Sequence, residues 1–438
     1  MEHKNDKRTI RSWTYFDWAN SAYNLVITST IFPAYYTAIT SDNDEQTVDH
    51  VVFMGRTFVN SALYSYAMAF AFLVIALISP ILSSIADSRG NKKVFMKFFT
   101  YMGGLACCGL ALFQRDTLEL GIVFFVIAAI GFWGSLVFYN SYLPEIATID
   151  RQDAVSAKGF TMGYIGSVVL QIICFVFVFF PNVFGLANEA EASRLSFLLV
   201  GVWWMGFAQI PFKFLPKGSP NFKGSKGNIF TEGFSELNKV WKSVKTMVYL
   251  KRFLFAFFFY SMGVQTVMLV ATLFGKEELH LPTEKLIATI LVLQLVAIPG
   301  AMLMSYLSRK KFGNVNVLIG VVFIWIVACV GAYFVRTELQ FYLLAAVVGL
   351  IMGGIQSLSR STYSKFLPPD SPDHTSFFSF FDVTEKVALV FGMFSFGFIG
   401  EQFGMRNSVL ALGAFFIAGL VFLFMLKQAE PKALKAGD

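Results

Sequence analysis

Apolar stretches of about 20 residues, the length a helix needs to cross a bilayer's hydrocarbon, recur along the whole chain. Short polar segments rich in Lys, Arg, Gly and Asn part them. The pattern predicts twelve spans: Tyr15–Ile39, Ser61–Ser84, Val94–Phe113, Leu118–Leu143, Gly159–Phe180, Ser196–Leu215, Phe253–Phe274, Leu286–Leu307, Val315–Val335, Leu339–Ser359, Phe377–Gly400 and Val409–Leu426. The fold class expected is an all-α polytopic membrane protein. The longest connection, Pro216–Lys251, divides the spans six and six. The expected organisation is a six-helix bundle over 1–215, a cytoplasmic linker over 216–251 and a second bundle over 252–438. Within the linker, Phe230, Phe234, Leu237, Trp241, Val244 and Val248 recur at helical spacing, and Lys239, Lys242 and Lys245 lie off that stripe. Such a helix lies on the membrane surface, held by apolar burial and anionic lipid, or packs on loops of its own chain.

Polar positions inside the spans are few and arranged. In the first span Asp17, Asn20, Ser21 and Asn24 fall at i, i+3, i+4 and i+7. A helix puts them on one face, and Thr28 continues the stripe. Such a stripe turns toward other helices or toward water inside the protein. It either lines a solute path or forms a polar seam between helices.

The eleventh span carries Asp382, Glu385 and Lys386. Charges within a bilayer are costly unless paired or hydrated. Asp382 and Lys386, at i and i+4, neutralise one another on one helix face. Glu385 then needs another partner, a proton or a cation, and is the candidate proton carrier. The same three charges also read as a network locking helices together. In the tenth span Gly349, Gly353, Gln356 and Arg360 share a face. The glycines allow close helix approach. Arg360 either grips a solute carboxylate or is the fixed partner of Asp17 or Glu145. The fourth span ends Tyr139-Asn140-Ser141-Tyr142-Leu143-Pro144-Glu145. Pro144 has no N–H for the carbonyl of Asn140, so this end is a ligand contact, a hinge or simply a helix stop. The fifth begins Gly159-x-x-x-Gly163-x-x-Gly166, a close-packing pattern.

Charge sets the orientation. With the N-terminus inside, the inner segments hold 27 of the 35 Lys and Arg, the outer loops seven, and Lys386 lies within a span. By the positive-inside bias both termini are expected to be cytoplasmic. The same distribution accounts for the net charge of +7 without nucleic acid. Only 14% of residues are charged, against about 25% in soluble domains, so no folded soluble domain is expected. No cleavable signal peptide is expected either. Cys107, Cys108, Cys174 and Cys329 all sit in apolar stretches without metal-ligand spacing. The four histidines fall in expected loops or tails, which excludes an intramembrane histidine relay. There is no nucleophile–base pair, metal cluster or phosphate loop, so enzyme activity, a cofactor and a metal are not expected.

The two halves echo each other. Gly90-Asn91 after span 2 and Gly313-Asn314 after span 8 stand 223 residues apart, and each preceding span carries a proline, Pro80 or Pro299. Such repeats surround the central site of many secondary transporters. Ser83-x-x-x-Asp87-Ser-Arg-Gly-Asn-Lys-Lys93 resembles the loop 2–3 signature of the major facilitator superfamily, G-x-x-x-D-(R/K)-x-G-(R/K)-(R/K). Ser83 replaces the first glycine, Arg89 comes one place late, and Asn91 stands where a basic residue is usual. Within that superfamily the chain resembles the branch of autophagy-related vacuolar effluxers and their bacterial relatives. Tyr15-Phe-Asp-Trp-Ala-Asn-Ser-Ala-Tyr23, Asn140–Glu145, Gly353-Gly-Ile-Gln-Ser-Leu-Ser-Arg-Ser361 and Phe377–Lys386 carry that likeness.

The resemblance implies the major facilitator fold, two pseudo-symmetric six-helix bundles with a mid-membrane solute site. It also implies a charge latch at the inner helix ends, with Asp87, Arg89 and Glu145 as candidates. In the fungal branch it implies amino-acid efflux. The reading that follows is a secondary transporter of the cell membrane, working by alternating access as a monomer. Its solute is expected to be small, polar and zwitterionic, an amino acid or short peptide, with proton coupling through Glu385 or Asp382. The candidate solute and coupling residues are Asp17, Asn20, Asn24, Tyr139, Asn140, Gln356, Arg360, Asp382, Glu385 and Lys386. The 51 phenylalanines leave a lipid or amphiphile flippase as a rival. A non-transporting membrane sensor or scaffold is a third reading.

Overall fold

The computed structural model describes residues 4–41, 49–217, 229–368 and 371–429. The chain is almost wholly helical. Asp6 caps the first helix, α1 (Lys7–Tyr23), by accepting from the Thr9 amide at 2.8 Å, the usual role of an N-cap carboxylate. The helix runs on through a π-helical stretch, Asn24–Thr30, into α2 (Ile31–Thr40). The first span is thus one rod broken at mid-length. A π segment adds a residue to the turn and is frequent at functional sites. There the hydroxyls of Ser29 and Thr30 bond carbonyls five residues back, on Asn24 and Leu25.

A two-stranded hairpin, β1 (His50–Phe53) and β2 (Arg56–Val59), follows. Its turn residues Met54 and Gly55 both have positive φ, which matches the twist of a tight hairpin. Then come α3 (Asn60–Arg89), α4 (Lys92–Gly109), α5 (Leu118–Asn140), the short α6 (Leu143–Ile146), α7 (Gln152–Phe179) and α8 (Glu189–Phe214). The second half comprises α9 (Ile229–Thr246), α10 (Val248–Leu279), α11 (Thr283–Leu307), α12 (Asn314–Phe334), α13 (Glu338–Phe366), α14 (His374–Phe403) and α15 (Met405–Ala429). Among the described residues eleven helices are long and apolar enough to cross a membrane. The first span, split by its π segment, adds the twelfth rod. Several helices outrun the expected spans by one to two turns; their polar ends reach water, so hydropathy alone undercounts them.

Apolar side chains pack inward and also face out. Tyr66, Phe70, Leu73 and Leu77 of α3, at i, i+4, i+7 and i+11, are 56–63% exposed, a stripe only lipid would cover. One apolar cluster runs from Trp13 to Leu215, and a second from Val240 to Leu426 with Tyr164 of the first half reaching into it. The repeat seen in the sequence has its structural counterpart. Gly90 and Gly313 both hold positive φ, 62° and 73°, where a side chain is disfavoured.

The linker helix α9 packs against α3, α10 and α14. Val240 and Val244 are buried, and Trp241 stacks on Phe380 with ring centroids 5.6 Å apart while staying half exposed. The side chains of Phe230, Phe234 and Leu237 lie outside the described residues.

Candidate functional site

A cavity of about 220 Å³ lies between the two halves. Its floor is a buried charge pair. Arg360 of α13 reaches across from the second half into the first. There its guanidinium lies 3.3 Å from Asp17 of α1. It also donates to the Ser156 hydroxyl at 2.9 Å, the Ser156 carbonyl at 2.8 Å and Asn140 Oδ1 at 3.1 Å. Tyr139 donates to Asp17 at 2.7 Å. Phe160, Trp13 and Tyr139 rings surround the guanidinium at 4.2, 4.8 and 5.5 Å. Trp13 stacks on Tyr139 at 4.5 Å and donates from its indole to the Tyr139 carbonyl. Both charges are under a tenth exposed. Such a pair is costly to bury unless its donors are satisfied; here all three guanidinium nitrogens donate, and the bonds to Asp17 fall on Oδ2.

Glycine makes the room. A methyl group on Gly159 would sit 2.5 Å from Asp17 Oδ2 and 2.8 Å from Arg360 Nη2. One on Gly163 would meet the Ser21 hydroxyl at 2.5 Å, and one on Gly166 the Trp18 carbonyl at 2.5 Å. The glycine row of α7 thus lets α1 approach close enough for Arg360 to enter.

Above this floor the wall from α1 and the π segment carries Asp17, Asn20, Ser21, Asn24 and Thr28, the stripe read from the sequence. Gln356 and Arg360 line it from α13, Asn140 from α5 and Glu385 from α14. Gln356 accepts from Tyr164 at 2.7 Å, a bond between the halves. Asp382 and Lys386 pair with each other on one face of α14, as their spacing predicts, but neither lines the cavity. The Lys386 ammonium lies 4.1 Å over the ring of Trp133, in the other half. Glu385 accepts from Gln265 at 2.7 Å.

Sequence reasoning missed Gln265 and Gln294, single amides on otherwise apolar helices, and the lining hydroxyls of Tyr164 and Tyr260. An isolated Gln gives no periodic signal. Four buried polar atoms of residues lining the cavity, Asn20 Nδ2, Thr28 Oγ1, Trp133 Nε1 and Gln294 Oε1, have no hydrogen-bond partner among the described residues. Buried polar groups are normally satisfied, so these four atoms are candidate solute contacts. Most of the remaining wall is apolar, with Met68, Phe72, Phe132, Phe257 and Met352 among its members, beside Ser29, Ser167, Ser261 and Ser359.

Below the floor, toward the chain termini, the halves are latched twice in a pseudo-symmetric way. Asp87 at the end of α3 accepts from the amides of Thr375 and Ser376, at 3.1 and 2.6 Å, on the first turn of α14. A carboxylate at a helix N-terminus meets free N–H groups and the favourable end of the dipole. In the other half Asn314 donates to Asp153 at 2.7 Å, on the first turn of α7, and Lys365 donates to Asp153 at 2.6 Å. Glu145 pairs with Lys92 within its own half and lies 3.6 Å from His374 of the other. His374, expected in a loop, is the first residue of α14 and is buried. Arg89 ends α3 and is exposed. The polar contacts between halves gather on this side. Away from the termini the cavity reaches Thr28 and Ser29 of the π segment and Met268 and Leu269 of α10.

The family model described as "Vacuole effluxer Atg22 like" matches residues 5–434. The chain belongs to that Atg22-like family. It is 31% identical over 425 residues to the uncharacterized MFS-type transporter YxiO of Bacillus subtilis, covering 95% of this chain and 94% of that one. It is 24% identical over 465 residues to autophagy-related protein 22 of Kluyveromyces lactis, covering 94% and 92%. Among solved structures the human organic anion transporter MFSD10 superposes with a TM-score of 0.71 at 11% identity, covering 95% and 99%. A bacterial homologue of the iron transporter ferroportin, in its outward-facing state, gives 0.67 at 12% identity, covering 96% and 98%. This Atg22-like chain therefore has the major facilitator fold, with twelve helices, and is a membrane transporter rather than an enzyme.

Proposed function

We propose that this Atg22-like protein moves a small zwitterionic solute, an amino acid or short peptide, by alternating access between its two halves. The observation carrying this reading is the Asp17–Arg360 pair at the foot of an otherwise largely apolar cavity. Splitting a buried pair strands two charges. A zwitterion splits it without stranding either, its ammonium facing Asp17 and its carboxylate facing Arg360. Asn20 Nδ2 and Gln294 Oε1 offer a donor and an acceptor above the charges. The cavity measures about 220 Å³. That volume suits a solute of amino-acid size and argues against a two-chain lipid.

The proposed cycle starts with the terminal-bearing side latched and the far side open, with the termini in the cytoplasm by the charge bias. Solute binding splits the floor pair, and the halves rock until the cavity faces the cytoplasm. Glu385, held by Gln265 on the cavity wall, is the proposed proton carrier, and a plasma membrane the proposed location. The test is uptake of labelled neutral amino acids and dipeptides into proteoliposomes, with and without a pH gradient. Saturable transport that falls at least tenfold in Gln356→Ala and Asn24→Ala supports the reading. Competition by lysolipids but by no amino acid or dipeptide overturns it.

A further inference from the structure

Five cations of the first half converge on its outer rim at the terminal-bearing end. Arg8 of α1 lies 4.0 Å over the ring of Phe214, and Lys213 of α8 lies 5.5 Å from the same ring. Lys97 of α4 lies 5.5 Å from the ring of Phe212. Lys93 donates to the Leu215 carbonyl at 2.8 Å, and Lys97 and Lys217 bear on it as like charges. Among the described residues, the contacts these five make are with aromatic faces and one carbonyl, not carboxylates. Like charges gathered around the end of one helix repel unless an anion sits among them.

An apolar track leads away from the cluster into the bilayer. Val94, Phe98, Tyr101 and Leu105 fall at i, i+4, i+7 and i+11 of α4 and are 37–61% exposed. On α8, Val202 is 55% exposed and Leu198 37%. Tyr101 donates to Gln209 at 3.1 Å, tying the two helices at the surface. From Lys97 to Leu105 is about 12 Å along the helix at 1.5 Å per residue. Cations at the rim and a hydrocarbon-facing groove beside them form one amphipathic surface. A soluble anion would use only its upper part.

We infer that α1, α4 and α8 form a binding site for an anionic glycerophospholipid, phosphate among Arg8, Lys93, Lys97, Lys213 and Lys217, acyl chain along α4. The lipid relieves the repulsion and braces the start of α1 against the end of α8, where the linker to the second half begins.

The test compares wild type with Arg8→Gln/Lys97→Gln/Lys213→Gln, all three cations being partly exposed and set on polar ends. A control removes the same charge elsewhere: Arg309→Gln/Lys310→Gln/Lys311→Gln. Each protein is reconstituted in phosphatidylcholine nanodiscs containing phosphatidylglycerol, and bound lipid is measured by native mass spectrometry. At about 1 kcal/mol for each cation near an anionic surface, the triple variant is expected to retain phosphatidylglycerol roughly a hundredfold less strongly than wild type and control. Glycerol phosphate at millimolar concentration is expected not to displace the lipid. Equal retention in all three proteins, equal loss in variant and control, or displacement by glycerol phosphate overturns the inference. Size-exclusion profiles distinguish lost binding from lost folding, and Lys97→Arg, which keeps the charge, is expected to retain the lipid.

Discussion

Removing Arg360 is the sharpest perturbation of the floor. Arg360→Gln strips Asp17 of its cation and leaves it with the Tyr139 hydroxyl as its one remaining bond. It also removes the donor to the Ser156 carbonyl, to Asn140 Oδ1 and to the Ser156 hydroxyl, which keeps its own bond to the Ser357 carbonyl. Breaking a buried pair from one side costs about 3–5 kcal/mol. That cost falls on the latched state, because the carboxylate is hydrated once the halves part. At the lower figure the equilibrium shifts roughly 150-fold, so a state populated about 99:1 becomes nearly even. The assay is a spin-label distance between Asp150→Cys and Lys311→Cys, one on each half at the terminal-bearing end, in a background free of the four native cysteines. Arg360→Gln should add a longer-distance population of about half. Asp17→Asn/Arg360→Gln removes both charges and should return much of the short distance, a coupling that a double-mutant cycle reads directly. An unchanged distribution in folded Arg360→Gln would refute the idea that this pair holds the halves together.

Other outcomes follow from the same geometry. Gly159→Ala drives a methyl group to 2.5 Å from Asp17 Oδ2, and should abolish transport and lengthen the same spin-label distance. Asp87→Asn removes the charge from two amide bonds at the start of α14, worth about 1–2 kcal/mol. A Cys placed at the buried Ser141, where Thr375 meets it, should then be alkylated about tenfold faster. Glu385→Gln should leave solute exchange intact and eliminate its response to a pH gradient; an unchanged gradient response removes Glu385 as the proton carrier.

Much of this architecture was legible because lipid is a strict solvent. It forces every span to be long, apolar and helical, and it leaves each intramembrane charge conspicuous. The stripe from Asp17 to Thr28 therefore pointed inward, and the i, i+4 spacing brought Asp382 to Lys386. What the pattern left open depends on tilt and crossing. Spacing says which residues share a face of α14, but not that Glu385 turns to the cavity while Lys386 turns to Trp133. It left Arg360 a choice of partners, because which helix lies opposite is a long-range fact. The π segment at Asn24–Thr30 and the hairpin at His50–Val59 were invisible for a related reason. One extra residue in a helical turn leaves the apolar pattern almost intact, and a hairpin of eight strand residues is too short to stand out between spans.

The central claim is that the space between the halves is a solute route, closed on the side of the termini and open on the other. It is tested most directly by placing Cys singly at Asn24 and at Gln356 in the cysteine-free protein and adding a membrane-impermeant thiol reagent to one face at a time. The account predicts labelling of both positions from the face opposite the termini, slowed by transported solute, and little from the terminal face. Labelling from neither face, or only from the terminal face, would contradict it.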